Sequence, residues 1–123
     1  MILVDSSVWI DHLRVADEAL SALLAREQVL THPFVIGEVA LGSMRRRDRV
    51  IASLDTLPIA TIATDRDVMY LIGQHRLFGR GIGYVDAHLL AAARLTPQTR
   101  LWTRDRRLIG TASDLGLAFR IAN

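Results

Sequence analysis

The chain begins with Met1-Ile2-Leu3-Val4-Asp5-Ser6-Ser7, in which an acid closes an apolar run and two serines follow it. Four consecutive apolar residues predict a short buried strand, and the serines can begin a helix. Asp5 would then lie at the carboxyl end of a strand, where open α/β sheets place their ligand sites. The stretch therefore favours an α/β fold and singles out Asp5 as a candidate functional residue.

The rest of the chain alternates short apolar runs with segments of helical period. Alternation of this kind is typical of parallel βαβ construction. We therefore predict an α/β fold with a central, mainly parallel sheet of four to five strands. The strands are predicted at 1–5, 28–31, 58–63, 101–103 and 117–121, and the main helices at 7–14, 19–24, 33–42, 45–54, 65–77 and 85–94.

Length and composition indicate one folded domain that spans residues 1–123. Half of the residues are hydrophobic and 23% are charged, a balance that argues against disorder. No apolar run approaches the roughly 18 residues of a membrane span, so no membrane association is expected. No basic segment precedes the first apolar stretch, so we expect no signal peptide, and a cytoplasmic location.

Two residue types are missing, and their absence removes several chemistries. The chain has no cysteine, which excludes disulfides, thiolate zinc sites and cysteine nucleophiles. All 15 basic residues are arginine. Without lysine there is no P-loop, no Schiff-base nucleophile and no receiver-domain lysine. A genome-level codon bias is also sufficient to explain the lack of lysine.

Three further acids occur in settings that resemble that of Asp5. Glu38 lies within a predicted helix in partly apolar company, so its carboxylate must either reach solvent or meet a cation. Asp86 lies in the first turn of a strongly apolar helix, just after a loop with three glycines. Asp105 comes two residues after Thr103, just past a predicted strand. Asp86 and Asp105 thus lie near a helix start or a strand end, as Asp5 does, whereas Glu38 lies inside its helix.

Each acid also has an ordinary explanation when it is taken alone. Asp5 can cap the helix that follows it. Asp86 can interact with the dipole of its own helix. Asp105 lies between two arginines and can form a surface ion pair with either. Glu38 is the hardest to explain in this way, since unpaired acids are rarely buried in helices.

The acids gain a common explanation if the strand ends are neighbours in a parallel sheet. Converging carboxylates would repel each other and raise one another's pKa, and a divalent cation would relieve this. An all-oxygen set without cysteine or histidine suits Mg²⁺ or Mn²⁺. The four histidines show no ligand spacing, and His88 follows Asp86 by two positions and faces another part of the helix. We therefore predict that His88 is not catalytic.

A carboxylate-held Mg²⁺ points to phosphoester chemistry, because the ion activates water and neutralises charge on phosphoryl oxygens. Arginines supply the complementary contacts to a phosphate backbone. Two blocks are available, although each can also be a solvated face, and the second adjoins the proposed metal site. The first comprises Arg45, Arg46, Arg47 and Arg49, and the second comprises Arg104, Arg106 and Arg107.

Four segments together resemble a PIN domain and, more narrowly, the VapC toxins of bacterial toxin–antitoxin pairs. The resemblance covers nearly the whole chain, with the segments in the family's order. It implies a three-layer α/β/α sandwich whose active site lies at one edge of the sheet. The segments are Ile2-Leu3-Val4-Asp5-Ser6-Ser7, the helix with Glu38, Gly83-Tyr84-Val85-Asp86-Ala87 and Thr103-Arg104-Asp105.

The same resemblance implies an endoribonuclease that depends on Mg²⁺ or Mn²⁺. Asp5 and Asp86 would be the firmest metal ligands, with Glu38 and Asp105 assisting directly or through water. Thr103 matches a hydroxyl position near the family's site. Ser6 matches another, although a role as helix cap suits it equally well. The resemblance also implies a cognate VapB antitoxin and a toxin homodimer.

Two other functions are alternatives to a metal-dependent endoribonuclease. A haloacid-dehalogenase-type phosphatase also begins with an acid after its first strand. That chemistry needs a second Asp two positions later and a lysine, whereas this chain has Ser7 and no lysine. A non-catalytic RNA- or protein-binding module with the same fold is the other alternative. Binding of Mn²⁺ would distinguish it from a nuclease.

Overall fold

A parallel three-stranded sheet forms the centre of the protein, for which a computed structural model describes residues 1–121. Strand β1 (Ile2–Val4) lies in the middle and pairs with β2 (Val29–Leu30) on one side. On its other side β1 pairs with β3 (Arg100–Trp102), which comes from the far end of the chain. All pairings are parallel, so the carboxyl ends of the strands meet at one edge.

Helices cover both faces of this sheet. Ile2, Leu3 and Val4 are all buried, and since successive strand residues point to opposite faces, neither face can be open to solvent. The predicted α/β architecture is thereby confirmed. The helices of the described residues are α1 (Ser6–Arg14), α2 (Glu18–Ala25), α3 (Pro33–Ala40), α4 (Arg47–Asp55), α5 (Asp65–Gln74), α6 (Tyr84–Leu95) and α7 (Arg106–Asp114).

Two of the five predicted strands, at 58–63 and 117–121, are reduced to single bridges at the edges of the sheet. The segment at 58–63 contributes one parallel bridge, between Ile59 and Thr31. Ile59 and Ile62, which lie within this predicted strand, are half exposed. The segment at 117–121 likewise contributes a single bridge, between Ala118 and Leu101.

Helix α6 is the helical centre of the core. Every residue from Ala87 to Ala93 is buried, which agrees with the strongly apolar helix that the sequence predicts. The helix packs against α5 and β3. Even so, no helix within residues 1–121 has the length and apolar character needed to cross a membrane. The apolar face of α6 therefore serves the interior of this domain.

The arginine-rich helix α4 starts later than the sequence predicts. It begins at Arg47 rather than at Arg45, and Arg46 precedes it in the left-handed conformation with φ 55°. A left-handed residue cannot continue an α-helix, so Arg45 and Arg46 lie in the connection from α3. Both side chains are exposed there.

The glycine loop before α6 depends on backbone conformations that other residues rarely adopt. Gly79 and Gly81 have φ values of +74° and +78°. Gly81 also lies against the side chain of Arg107: a Cβ atom there would be 2.6 Å from Nη1 and 2.7 Å from Cδ. Glycine at position 81 thus satisfies both the backbone and the packing of α7 against this loop.

Replacing Gly81 with alanine should destabilise the protein by about 1–2 kcal/mol, because a Cβ adds left-handed strain and displaces Arg107. Gly73→Ala is the matched control. Gly73 lies in the exposed part of α5, and its added Cβ would meet nothing within 4 Å. That substitution should stabilise the protein by roughly 0.5–1 kcal/mol. Urea unfolding measures both, and equal effects would contradict the assignment.

Candidate active site

Asp5 is held at the carboxyl end of β1 by two hydroxyl groups. Its side chain is buried, at 5% exposure. Oδ2 accepts hydrogen bonds from Ser7 Oγ at 2.7 Å and from Thr103 Oγ1 at 2.9 Å. The side chain makes no capping bond to α1, although Asp5 occupies the capping position. The ordinary explanation of Asp5 as a helix cap is therefore wrong.

Thr103 joins Asp5 to the loop that carries Asp105. Its buried hydroxyl donates to Asp5 and accepts from the backbone N–H of Asp105 at 3.2 Å. The backbone N–H of Asp5 also donates to the carbonyl of Trp102 at 2.9 Å, which continues the β1–β3 pairing by one residue. One hydroxyl thus fixes the relative position of two of the predicted acids.

Ser7 is a site residue that sequence reasoning missed. Besides donating to Asp5, its Oγ accepts the backbone N–H of Arg104 at 3.1 Å and lies 3.4 Å from Thr103 Oγ1. Ser7 therefore connects α1 to the loop after β3. The available signal was its spacing of two residues after a strand-end acid, which resembles an ordinary helix start.

Ser6 and Glu38 connect α1 to α3. Ser6 is the first residue of α1, and its Oγ donates to Glu38 Oε1 at 3.1 Å rather than capping the helix. Partial desolvation raises the pKa of Glu38, and the hydrogen bond from Ser6 lowers it in part. The neighbouring charges of Asp5 and Asp86 raise it further. No arginine offsets this rise within the described residues. Glu38 therefore belongs to the same electrostatic group as Asp5 and Asp86.

Asp86 caps its own helix, but capping does not account for its environment. Its Oδ2 accepts the backbone N–H of Gly83 at 3.0 Å, and Asp67 makes the same 3.0 Å contact with Thr64 at the start of α5. The hydrogen bond from Thr64 lowers the pKa of Asp67. Burial raises the pKa of Asp86 despite its capping bond, and the charges of Asp5 and Asp105 raise it further. The helix-dipole explanation is thus incomplete.

Asp105 caps α7 instead of forming an ion pair. Its Oδ1 accepts the backbone N–H groups of Arg107 at 2.9 Å and Leu108 at 3.1 Å. No arginine lies within salt-bridge distance of Asp105 in the described part of the chain. The side chain is exposed, and its charge contributes to the raised pKa of Asp86.

The four acids share one arrangement: protein donors bind one carboxylate oxygen and leave the other without a protein partner among residues 1–121. The bound oxygens are Oδ2 of Asp5, Oε1 of Glu38, Oδ2 of Asp86 and Oδ1 of Asp105. The second oxygen of Asp5 has no hydrogen-bond partner in the described chain, yet it is not fully buried. It therefore still reaches solvent. Four such oxygens suit a hard divalent cation.

The acids lie close enough for their charges to raise the pKa of Glu38 and Asp86, but not close enough to bind one metal ion together. The pKa shifts couple Asp5 to Glu38 and Asp86, and Asp86 to Asp105. Within residues 1–121, however, no three acidic or histidine side chains lie close enough together to hold a metal ion as they stand. The donor set therefore fits a cation by its chemistry, and the side chains would need to move inward to bind one.

The arginines of the two blocks have different surroundings. Arg106 and the first block are exposed, although Arg47 donates to the carbonyl of Ala40 at 3.0 Å. Arg107 lies over Gly81. Arg104 is engaged by two carboxylates, those of Asp11 and Asp17.

His88 lies apart from the acids' hydrogen bonds. Its ring is buried, and Nε2 lies 3.2 Å from Asp65 Oδ1. Tyr84 and Phe34 pack edge-on against it, with ring centroids 4.7 and 5.0 Å away. His88 therefore packs among aromatic rings, and its role outside catalysis stays a prediction.

Comparison with known proteins identifies the class to which this fold and site belong. The family model for the PIN domain matches residues 2–113, and the chain belongs to that family. Within it the chain groups with the VapC ribonucleases. It is 48% identical over 118 residues to Ribonuclease VapC32 of Mycobacterium tuberculosis, in strains CDC 1551 / Oshkosh and ATCC 25618 / H37Rv. The match covers 96% of this chain and 95% of each relative.

Replacing Asp86 with asparagine should stabilise the metal-free protein at pH 7. The raised pKa means that the folded state binds the proton more tightly than the unfolded state. Unfolding free energy therefore falls as pH rises from the ordinary value of 3.8 through the raised pKa. Asparagine removes this penalty and still accepts from Gly83. Melting in chelator should show a gain on the order of a few degrees at pH 7.

The gain should vanish at low pH, where Asp86 is protonated in both states. Asp67→Asn is the control in the same capping geometry, and its lowered pKa gives the opposite sign. That variant should lose stability at pH 7 relative to wild type. If both variants changed the melting temperature at pH 7 in the same direction, repulsion and burial of charge at Asp86 would not destabilise the folded protein.

Proposed function

We propose that this protein is the toxin of a type II toxin–antitoxin pair and acts as a Mg²⁺-dependent endoribonuclease, with Mn²⁺ able to replace Mg²⁺. The observation that carries the proposal is the group of acids at the carboxyl ends of β1 and β3. Within this group, partial desolvation and the charges of neighbouring carboxylates raise the pKa values of Glu38 and Asp86, and no arginine among residues 1–121 offsets the rise. PIN-domain nucleases generally use a divalent metal ion, and such a group is suited to one.

In this proposal, Asp5, Asp86 and Asp105 would hold the cation through the oxygens that protein donors leave free. The bound ion would lower the pKa of water and neutralise charge that develops on the phosphoryl oxygen. Ser7 and Thr103 both donate to Oδ2 of Asp5, which leaves Oδ1 available to the cation. The caps at Asp86 and Asp105 orient their carboxylates in the same manner.

Glu38 has a separate role in the proposed reaction. Its Oε1 accepts from Ser6, which leaves Oε2 to ligate the cation or to orient the attacking water. A raised pKa brings a carboxylate closer to the pH at which it can both accept and release a proton. Hydrolysis would then proceed by in-line attack on an RNA phosphodiester.

Arginines would position the RNA by contact with its phosphates. Arg106 and Arg107 are the candidates beside Asp105, and both lie on the exposed start of α7. The block with Arg45, Arg46 and Arg47 is the second candidate, exposed at the connection between α3 and α4. Exposed arginines favour an electrostatic grip on the backbone that does not depend on base identity.

The proposal includes a cognate VapB-type antitoxin and a homodimeric toxin. The family relationship supports both partners. An apolar cleft of about 410 Å³ between α1, α2 and α4 adds support for a protein partner, since apolar grooves accept amphipathic helices. Its lining includes Trp9, Leu13, Leu24, Val50 and Leu54.

A non-catalytic binding module with the same fold is the competing function. One observation favours it: no three acids of the described chain lie close enough together to hold a metal ion without moving. The two functions differ in metal binding and in cleavage, and both differences can be measured.

Asp5→Asn should abolish cleavage and leave the fold intact. The amide oxygen can still accept the hydroxyls of Ser7 and Thr103, but the carboxylate charge is lost. Several kcal/mol of charge stabilisation correspond to a rate loss on the order of 10³-fold. Asp55→Asn, which changes an exposed acid at the end of α4, is the control and should keep wild-type activity. Sequencing of RNA ends after brief expression gives the readout and the cleaved bond.

Cleavage that continues in excess chelator would rule out the metal mechanism. Full activity in the Asp5→Asn variant would rule out the assigned site. An inactive wild-type protein would instead support the binding module.

Mn²⁺ should stabilise the purified protein against heat, because an ion that binds the folded state shifts the equilibrium by mass action. At a concentration 100 times the dissociation constant the gain is about 2.7 kcal/mol. Asp5→Asn and Asp86→Asn should reduce this gain, whereas Asp55→Asn should retain it. A wild-type melting temperature that does not respond to Mn²⁺ would favour the non-catalytic module.

A further inference from the structure

Two carboxylates from a different part of the fold bind the side chain of Arg104. Nη1 lies 2.6 Å from Asp11 Oδ2 in α1, and Nη2 lies 2.5 Å from Asp17 Oδ2 at the start of α2. These partners are 93 and 87 positions away in sequence. The guanidinium therefore joins the loop after β3 to α1 and to the start of α2.

The same guanidinium is further restrained by an aromatic ring. Its central carbon lies 5.7 Å from the centroid of the Trp102 ring, which is buried and packs against Phe119. Hydrogen bonds from Arg104 to Asp11 and Asp17 raise the pKa of the guanidinium. Two negative charges thus face one positive charge, so little positive field remains here for a phosphate.

The backbone of Arg104 belongs to the network that holds the acids. Its N–H donates to Ser7 Oγ, which in turn donates to Asp5 Oδ2. Its neighbours in sequence are Thr103 and Asp105. A shift of this short loop would therefore displace the hydroxyl on Asp5 and the carboxylate of Asp105 together.

We propose that Arg104 is a positioning residue of the nuclease centre, which holds the loop at 103–105 in register with α1 by bridging Asp11 and Asp17. The inference rests on the proposed function for the reaction that it serves. It also replaces the expectation that Arg104 contacts RNA, since that role needs a guanidinium free of carboxylates. Asp11 and Asp17 become part of the same device, although neither lies among the predicted site acids.

The two roles of Arg104 predict opposite kinetics. Loss of a positioning contact misplaces reacting groups and lowers kcat, with KM nearly unchanged. Loss of a phosphate contact raises KM and lowers the salt dependence of binding. Neutralising Asp11 and Asp17 separates the roles further. It would free Arg104 to bind RNA more tightly if Arg104 is a phosphate ligand, but it would release the loop if Arg104 is a positioning residue.

The experiment compares Arg104→Ala, Arg104→Lys and the double variant Asp11→Asn/Asp17→Asn on an RNA that the wild-type protein cleaves. Asparagine at 17 retains an oxygen for the 2.9 Å cap on Leu20. We expect Arg104→Ala and the double variant to lower kcat about 10- to 100-fold, with KM within about twofold. Lysine should restore activity only in part, because its single ammonium lacks the planar fork that spans two carboxylates.

Arg120→Ala is the matched control. Arg120 donates to Ser113 Oγ at 2.9 Å and lines a cleft with Ile2 and Arg100, at the amino ends of the strands. Its loss removes an arginine hydrogen bond far from the acids and should leave kcat and KM unchanged. Melting temperatures of all variants show whether a lost rate reflects unfolding.

A higher KM at unchanged kcat in Arg104→Ala, or a lower KM in the double variant, would overturn the inference and restore Arg104 as an RNA ligand. Wild-type kcat in the double variant would overturn it as well. Amide hydrogen exchange gives a readout that does not depend on activity. If the wild-type protein cleaves no RNA, the proposed function fails, and the inference still requires faster exchange at the Asp105 N–H in Arg104→Ala. Unchanged exchange there would end it.

Discussion

The organisation of the candidate site depends on two hydroxyl hydrogen bonds to a single carboxylate oxygen. Ser7 and Thr103 both donate to Oδ2 of Asp5, which lies where β1 ends beside β3. These bonds set the orientation of a nearly buried acid without neutralising its charge. A cationic partner would have fixed Asp5 equally well, but it would have cancelled the negative charge that the proposed metal site needs.

Among residues 1–121, the ion pairs of arginine also lie away from the site acids. The chain contains 15 arginines, and those that form close ion pairs do so with acids outside the candidate site. Arg104 pairs with Asp11 and Asp17, and Arg80 pairs with Asp114 at 2.7 Å. The site acids instead accept hydroxyl and backbone N–H groups. Positive charge therefore stabilises the scaffold, while negative charge remains at the carboxyl edge of the sheet.

Sequence reasoning predicted the fold class because it depends on local patterns, such as the run that ends at Asp5 and the apolar helix after Asp86. It could not predict that Ser7 belongs to the site or that Arg104 pairs with two carboxylates, since their long-range partners lie 87 to 97 positions away and no local pattern encodes them. The strand predicted at 58–63 is too long because tertiary contacts, not local pattern, decide where that strand ends. Its isoleucines have strand propensity, but the tertiary fold leaves Ile59 and Ile62 half exposed.

The pairing of β1 with β3 has a consequence for the order in which the protein acquires its site. Asp5 and Thr103 are separated by 98 positions, so the first acid is synthesised long before the second of the two hydroxyl groups that orient it. Pairings of such long range form late in folding, because the intervening loop must first be closed. A nascent chain that has not yet exposed β3 therefore has Asp5 but no assembled centre. Only a polypeptide that extends past β3 can bring Asp5 and Asp105 to the same edge of the sheet, so shorter translation products lack the arrangement on which cleavage would depend.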